Sequence, residues 1–100
     1  MTGTPDVTVI VPTHQGTRYL AEALESVAAQ DLTDVEVLVV DDASTDGSAE
    51  LARSFADRIP DLRVEVNAER LGAAANVARC IETARGRWIK PVFQDDLIDP

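Results

Sequence analysis

The centre of this 100-residue sequence reads Val35-Glu36-Val37-Leu38-Val39-Val40-Asp41-Asp42-Ala43-Ser44-Thr45-Asp46, an apolar, β-branched run followed by three acids and two hydroxyls. The consecutive apolar residues Val37 to Val40 are typical of a strand that is buried on both faces, as in parallel sheets covered by helices. Ligands of open α/β sheets bind beyond the carboxyl ends of the strands. The run therefore predicts a central strand and, at its end, a binding site that contains Asp41 and Asp42.

Strand-like and helix-like segments alternate along the rest of the chain. β-Branched or alternating segments predict strands near residues 7–11, 35–40, 62–66 and 88–93. Apolar residues at three- and four-residue spacing predict helices over about 17–30, 48–59 and 73–85. This order predicts one α/β domain, a Rossmann-like parallel sheet with helices on both faces.

Several residues refine that prediction. Pro12 is expected to end the first strand, and Gly86 is expected to end the third helix in the left-handed conformation. The alternation in 62–66 places that strand near an edge of the sheet. Pro91 lacks a donor, so it either faces away from a neighbouring strand or lies in a bulge. The face of the third helix is marked by Ala74, Val77, Ala78 and Ile81.

Composition restricts the partners and the compartment. A formal charge of −9 repels nucleic acid and anionic lipid. The basic residues Arg79, Arg85, Arg87 and Lys90 are interpreted as solvated surface, with contact to an anionic ligand or membrane as the alternative. The single Cys80 excludes an intrachain disulfide and is interpreted as a packed thiol in an intracellular protein. Because the sequence shows neither a secretory signal nor a transmembrane run, a cytoplasmic location is expected, with peripheral attachment to the inner face of a membrane left open.

Two acidic pairs follow predicted strands. Asp41-Asp42 follows the second strand and Asp95-Asp96 follows the fourth, so both pairs are expected at the same rim of the sheet. Adjacent carboxylates repel, and a hydrogen-bond donor or a hard cation such as Mg²⁺ or Mn²⁺ would relieve them. The alternatives are that Asp41, Asp42 and Asp46 form a turn and cap the next helix, and that Asp95-Asp96 is a solvated loop.

The motifs, taken together, resemble a known family. Residues 7–13, the helix 19–27 with Gln30, and 39–47 are similar to the amino-terminal half of a family 2 glycosyltransferase with the GT-A fold. Asn67 ahead of Gly72, Asn76, the run 84–86 and residues 95–97 with Pro100 follow in the same order. The resemblance covers nearly all of the chain.

The resemblance implies inverting transfer of a sugar from a nucleoside diphosphate sugar, most commonly a UDP-sugar, with Mg²⁺ or Mn²⁺ as cofactor. It places Pro12, Thr13 and His14 against the nucleoside and Asp42 on the base. Asp95 is implied to meet the ribose and diphosphate, and Asp96, with Asp95, the metal. The general base and the acceptor-binding part are expected beyond residue 100, so residues 1–100 are interpreted as the first part of a longer domain, inactive alone, with an acceptor that the sequence does not reveal.

The chain also departs from the family pattern. His14-Gln15 stands where an aromatic residue followed by Asn is common, Phe93 where many members have a further Asp, and Ala75 where Arg is frequent. A phosphoreceiver-like signalling module is the alternative reading of Asp41-Asp42, although the pair follows the second strand rather than the first and Lys90 lies inside the fourth. An interaction domain that uses the same fold is a further alternative.

Overall fold

A computed structural model describes residues 4–93 of the chain. The strands are β1 (Val7–Thr13), β2 (Val35–Asp41), β3 (Leu62–Val66) and β4 (Trp88–Pro91), and the helices are α1 (Thr17–Ala28), α2 (Ser48–Arg53) and α3 (Ala73–Thr83). All strand pairs are parallel, in the order β3-β2-β1-β4. The α/β class and the parallel sheet are confirmed, and β3 lies at an edge as predicted. Each helix in this part of the chain falls short of the length and apolar character that a bilayer span requires.

The sheet carries a separate core on each face. Alternate residues of β1 and β2, such as Val9 and Val37, pack against α1 and α2. The intervening residues, such as Leu38 and Val40, pack against Cys80 of α3. Because side chains of a strand alternate between faces, the apolar run of β2 supplies both cores at once. Helices therefore cover both faces, as the sequence predicts.

Pro12 lies within β1 rather than ending it, which corrects the prediction. The strand continues to Thr13, and Pro12 lies opposite Val40. The amide of Asp42 donates to the Thr13 carbonyl on the β2 side. Alternation therefore turns Pro12 toward β4, whose pairing with β1 ends at Pro91. Because the pairing on that side has already ended, the missing N–H of Pro12 removes no hydrogen bond of the sheet, and β1 continues through the proline.

Pro91 is accommodated at the opposite edge of the sheet. The amides of Trp88 and Val92 donate to carbonyls of Asp6 and Ile10, so the position of Pro91 between them faces away from β1. The first of the two alternatives for this proline is therefore correct. The strand is shorter than the predicted 88–93, because it ends at Pro91.

The second helix is shorter than the predicted 48–59. Regular helix ends at Arg53, and the backbone continues in turns through residue 58. The hydroxyl of Ser54 donates to the Leu51 carbonyl, and the Phe55 amide donates to a carbonyl three residues back instead of four. Phe55 and Ile59 are nevertheless buried, so apolar residues of the predicted segment face the core although the helix is not continuous.

The third helix presents a different face to the sheet from the one predicted. Its buried residues are Asn76 and Cys80, whereas Ile81 is 50 % exposed. Apolar spacing alone misplaces this face because a polar contact orients the helix: the Asn76 side chain donates to the Val40 carbonyl at 3.0 Å. Cys80 is a packed thiol as predicted, and burial raises its pKa to about 11.

A buried carboxylate fastens the far end of α3 to the sheet. Glu36 is fully buried in β2 and accepts hydrogen bonds from the Thr8 hydroxyl, from Arg63 and from Arg85 at 2.7, 3.0 and 2.8 Å. Arg63 also donates to the last carbonyl of α3, that of Thr83. Burial raises the pKa of Glu36, but these hydrogen bonds and the positive charge of Arg63 lower it to below its ordinary value. Arg85 is exposed, as its interpretation as solvated surface predicts, but it also pairs with the buried Glu36.

Gly86 has a role that the sequence does not predict. Its φ angle is not in the left-handed region, and the residue that ends α3 is Ala84, in an extended conformation. A Cβ at position 86 would lie 2.4 Å from the backbone nitrogen of Thr8. The glycine therefore permits close approach of the chain to β1, and its amide donates to the Thr8 hydroxyl.

We expect Glu36→Gln to lower the free energy of unfolding by about 2–3 kcal/mol, because the charge-assisted bonds to two arginines are lost inside the sheet. Urea denaturation at neutral pH measures this. The matched control is Glu65→Gln, which removes a half-exposed pair with Arg79 at 3.5 Å and should change stability by less than about 1 kcal/mol. Equal effects of the two substitutions would contradict the role assigned to Glu36.

Candidate functional site

A pocket opens at the rim formed by the carboxyl ends of the strands. Its volume is about 430 Å³, and it is lined by Pro12, Thr13, His14, Asp42, Arg70, Ala73, Ala74, Asn76, Val77 and Phe93. The four predicted nucleotide-binding residues within the described part, Pro12, Thr13, His14 and Asp42, all lie in its wall. The predictions for Asp95 and Asp96 lie outside the described residues.

The Asp42 carboxylate is the most constrained group in the pocket. It is 2 % exposed. Oδ1 accepts hydrogen bonds from the Asn67 side-chain amide and the Leu71 backbone amide, at 2.9 and 2.8 Å, and Oδ2 accepts one from the Gly72 amide at 2.9 Å. Gly72 is the residue before α3, so Asp42, which directly follows β2, satisfies one amide at the start of a helix that has no side-chain cap of its own.

These contacts also set the charge of Asp42. Burial raises the pKa of the carboxyl group, whereas the hydrogen bonds from Leu71, Asn67 and Gly72 lower it, and the result lies below the ordinary value. The carboxylate is therefore an ionised acceptor, held in one orientation before any ligand arrives. Such preorganisation allows a buried acceptor to discriminate between ligand donors.

Asn67 and Asn76 hold the Asp42 carboxylate in place through a chain of hydrogen bonds. The Asn67 amide nitrogen donates to both Asp42 Oδ1 and Asn76 Oδ1, the latter at 2.8 Å, and Asn76 is in turn anchored on the Val40 carbonyl. Both asparagines are buried. These hydrogen bonds link the Val40 carbonyl of β2, Asn76 of α3 and Asn67 after β3, which explains why residues 67 and 76 both carry side-chain amides.

The two acids of the central pair have different roles. Asp41 accepts from the Ser44 amide and hydroxyl, at 3.0 and 2.5 Å, and closes the turn after β2. Asp46 accepts from the amide and hydroxyl of Ser48, in the first turn of α2. The turn-and-cap interpretation is thus correct for Asp41 and Asp46, while Asp42 is the acid that the fold directs into the pocket. The expected relief of the acidic pair comes from hydrogen-bond donors.

The loop after β1 is fastened to the loop after β2. The Gln15 amide donates to the Ser44 hydroxyl at 2.8 Å, and the Thr45 amide donates to the Gln15 side chain at 2.6 Å. His14 Nδ1 lies 2.7 Å from the Asp42 carbonyl oxygen. A carbonyl can only accept, so Nδ1 is assigned as the donor, and Nε2 has no hydrogen-bond partner within residues 4–93.

Thr13 contributes a hydroxyl that has no partner within the described residues. The side chain is 4 % exposed and lines the pocket, yet its Oγ1 is buried without a hydrogen bond in residues 4–93. Buried hydroxyls are ordinarily satisfied. The wall of the pocket therefore includes a residue whose hydroxyl is unsatisfied within the described part of the chain.

Sequence reasoning did not identify Arg70, Ala73, Ala74 or Val77 as pocket residues. Arg70 follows β3, the neighbour of β2. Because ligands bind beyond the carboxyl ends of parallel strands, its position predicts a site residue just as the position of Asp42 does. The two alanines and Val77 carried no polar signal. The apolar spacing of the third helix predicts that Val77 faces the sheet, whereas this residue borders the pocket.

The described residues hold no cluster of three or more His, Cys, Asp or Glu side chains that could bind a metal. Phe93, the last described residue, lines the pocket two positions before Asp95 in the sequence. Carboxylates are ligands that hard cations accept. The predicted metal ligands Asp95 and Asp96 lie outside the described residues, so the metal site stays a prediction.

Comparison with known proteins bears on this pocket. A family model described as glycosyl transferase family 2 matches residues 8–100. Glycosyltransferase GlyG of Streptococcus pneumoniae serotype 4 is 35 % identical over 94 residues, which cover 92 % of this chain and 31 % of the relative. The chain spans 27–31 % of the length of this and two further curated relatives.

Two solved structures share the fold. A mannosyltransferase from Pyrobaculum calidifontis, in complex with GDP-Man and Mn²⁺, is 36 % identical with a TM-score of 0.80, over 94 % of this chain and 28 % of that one. TarS 1–349 of S. aureus, in complex with UDP-GlcNAc, is 29 % identical with a TM-score of 0.81, over 90 % of this chain and 26 % of that one. The neighbours are GT-A glycosyltransferases, so the GT-A assignment is confirmed.

The turn after β2 contains a strained residue whose replacement should stabilise the fold. Ala43 has a φ of 57°, in the left-handed region that favours glycine. We expect Ala43→Gly to raise the free energy of unfolding by about 0.5–1 kcal/mol. The matched control is Ala78→Gly on the exposed side of α3, which should lower it by about 1 kcal/mol. Thermal unfolding shows whether each variant gains or loses stability. A loss of stability in both variants would contradict backbone strain at Ala43.

The lowered pKa of Asp42 predicts acid sensitivity. A carboxyl group whose pKa is lower in the folded state stabilises that state above the unfolded value, here 3.8, and the contribution is lost as pH falls through the folded value. We expect Asp42→Asn to cost about 1.5–3 kcal/mol at neutral pH and progressively less below about pH 4. Urea denaturation across this range, with exposed Asp57→Asn as control, measures it. A pH-independent difference would be inconsistent with an ionised Asp42.

Proposed function

Because this chain belongs to glycosyl transferase family 2, we propose that the full-length protein transfers a sugar from a nucleoside diphosphate sugar to an acceptor, with inversion at the anomeric carbon. The observation that carries the proposal is the ionised Asp42, preorganised in a pocket at the carboxyl rim of the sheet. Solved neighbours in complex with GDP-Man and UDP-GlcNAc support a nucleotide sugar as donor.

Asp42 is the proposed acceptor for the base. Each carboxylate oxygen can accept about two hydrogen bonds. Within the described residues Oδ1 accepts two and Oδ2 one, so Oδ2 keeps a free acceptor direction. A ring N–H such as N3–H of uracil would complete it with a charge-assisted bond. UDP-sugar is the donor that we propose.

The remaining pocket residues complete the nucleoside site. The unpartnered Thr13 hydroxyl is proposed to bond a polar atom of the nucleoside, and Pro12 forms the adjoining apolar wall. The ring of His14 is fixed through Nδ1, which leaves Nε2 for a polar ligand atom. Pro12 and Thr13 end β1, and His14 begins the loop that Gln15 fastens to Ser44 and Thr45.

We propose Asp96, with Asp95, as the ligands of a Mg²⁺ or Mn²⁺ ion. Their oxygen donors suit either ion, and such ions commonly bind one or two carboxylates together with substrate phosphates. When bound, the ion would offset the charge that accumulates on the departing diphosphate. A neighbour in complex with Mn²⁺ supports this. Asp95 is also proposed to bond the ribose.

The acceptor side of the reaction is proposed to lie beyond residue 100. The chain spans about three tenths of the length of its relatives, and no group within the pocket is assigned the role of general base. Residues 1–100 by themselves are therefore expected to bind nucleotide weakly and to transfer no sugar. The cytoplasmic location and the peripheral membrane contact stay predictions.

The proposal is tested by the thermal stability of the full-length protein with UDP, GDP, CDP and dTDP, with and without Mn²⁺. We expect a nucleotide-dependent rise in Tm that Asp42→Ala removes in all conditions, since the base acceptor is lost. Asp96→Ala should remove mainly the part that needs Mn²⁺. Asp57→Ala, which alters an exposed acid outside the pocket, is the control.

Two results would overturn the proposal. One is an absence of any nucleotide response in the wild-type protein. The other is a response to acyl phosphate and Mg²⁺ instead, which is the behaviour of a phosphoreceiver. Asp41, the first acid of the pair, is engaged by the amide and hydroxyl of Ser44 and closes a turn, which does not favour that alternative.

A further inference from the structure

Asn76 of α3 is a buried amide that is connected to Asp42 through one intermediate side chain. It is 2 % exposed, and its Nδ2 donates to the Val40 carbonyl at 3.0 Å. Its Oδ1 accepts from Nδ2 of Asn67 at 2.8 Å, and the same nitrogen donates to Asp42 Oδ1 at 2.9 Å. A hydrogen-bond chain therefore runs from the backbone of β2 through two amides to the carboxylate in the pocket.

The direction of this hydrogen-bond chain is set by the Val40 carbonyl. A backbone carbonyl can only accept, so the amide nitrogen of Asn76 must face it and the amide oxygen must face Asn67. Asn67 must then turn its nitrogen toward Asn76, and that nitrogen carries a second hydrogen, which Asp42 accepts. The backbone of β2 thereby determines that the group at the end of the chain accepts a hydrogen bond.

This direction leaves Asn67 with an unsatisfied oxygen. Its Oδ1 is buried and has no hydrogen-bond partner within residues 4–93, whereas buried polar atoms ordinarily have one. The reverse orientation of the amide would set that oxygen against Asp42 Oδ1 and Asn76 Oδ1, both of which are acceptors. Asn67 therefore keeps the one orientation that serves its two neighbours, at the expense of its own oxygen.

The hydrogen-bond chain also determines which oxygen of Asp42 is left for a ligand. Each carboxylate oxygen accepts about two hydrogen bonds. Oδ1 already accepts two, from the Asn67 side chain and the Leu71 amide, whereas within the described residues Oδ2 accepts only from Gly72. Without the Asn67 contact both oxygens would hold one donor each, and the carboxylate would lose the constraint that keeps Oδ2 as the ligand-facing acceptor.

Resting on the proposed function, we propose that Asn76 is a positioning residue for nucleotide binding. It acts through Asn67, whose orientation it fixes, and so holds the Asp42 carboxylate in the one arrangement that presents Oδ2 to the ligand. Asn76 needs no contact of its own with the nucleotide for this role. Loss of one hydrogen bond to a charged group corresponds to about a tenfold change in affinity.

A double-substitution cycle on the full-length protein tests the proposal, with the affinity for UDP measured by titration calorimetry. Asn76→Ser removes the amide without adding a charge and should weaken UDP binding by about tenfold. Asp42→Asn should weaken it by at least the same factor. Because Asn76 acts through Asp42, the double variant should bind UDP no more weakly than Asp42→Asn alone. Independent contributions to the fold would instead add.

Asn76→Asp gives a second readout, which a general loss of structure would not produce. The new carboxylate sets an oxygen against the Val40 carbonyl, so UDP affinity should fall at least about tenfold at about pH 8. A protonated carboxyl group again has one donor and one acceptor, so the ratio of variant to wild-type affinity should recover toward about pH 5. Asp42 remains ionised there, since its pKa lies below the ordinary value.

The affinity ratio at each pH cancels titrations that occur in UDP and in both proteins. The matched control is Gln30→Glu, which makes the same change from amide to acid at an exposed residue just after α1. Its affinity ratio should stay near one at every pH.

The possible results separate the two proposals. If wild-type protein binds no nucleotide, the proposed function fails and this inference fails with it. If wild-type protein binds UDP but Asn76→Ser binds it equally well, the inference alone is wrong. Additive losses in the double variant, or an Asn76→Asp ratio that stays low at every pH, would also overturn it. If Asn76→Asp does not fold, the cycle with Asn76→Ser decides alone.

Discussion

The carboxylate of Asp42 joins the end of the central strand to the start of α3, and the pocket depends on that junction. Three donors from residues 67–72 converge on it, so the loop after β3 cannot move without leaving a buried charge unpaired. Removing one partner from a buried charge is strongly unfavourable. The rim is therefore rigid where a ligand would bind, and one acid serves both the fold and the proposed base contact.

The opposite end of α3 depends on a second buried acid. Glu36 accepts hydrogen bonds from Thr8, Arg63 and Arg85 at the amino-terminal side of the sheet, and Arg63 also donates to the last carbonyl of the helix. The helix is thus held at both ends by carboxylates, that of Glu36 in β2 and that of Asp42 directly after β2. Its few buried residues would pack weakly by themselves, which gives these polar anchors a larger share in positioning the pocket wall.

The anchors also explain which sequence predictions succeed. The apolar pattern predicts the strands and the existence of α1 and α2 well, since burial of apolar side chains is what orders these elements. The same reasoning misplaces the face of α3, where Asn76 and its bond to the Val40 carbonyl decide the orientation. Gly86 shows a second kind of failure: a contact with Thr8, 78 positions away in the sequence, imposes the glycine. The position after a strand predicts Asp42 as a site residue, whereas Pro12, Thr13 and His14 are predicted from the family resemblance. Arg70 also follows a strand, but the sequence analysis does not predict it as a site residue.

The order of apolar and polar segments is a local property, and it was enough to specify parallel strands, covering helices and acids at the carboxyl rim. Which acid enters the pocket is not local. Asp41 and Asp42 are neighbours with the same chemistry, and they differ in function because the first meets Ser44 in its own turn while the second meets residues 25 to 30 positions away. Tertiary structure alone brings those donors to Asp42, because a hydrogen bond depends on the distance and direction between two groups in space rather than on their separation along the chain.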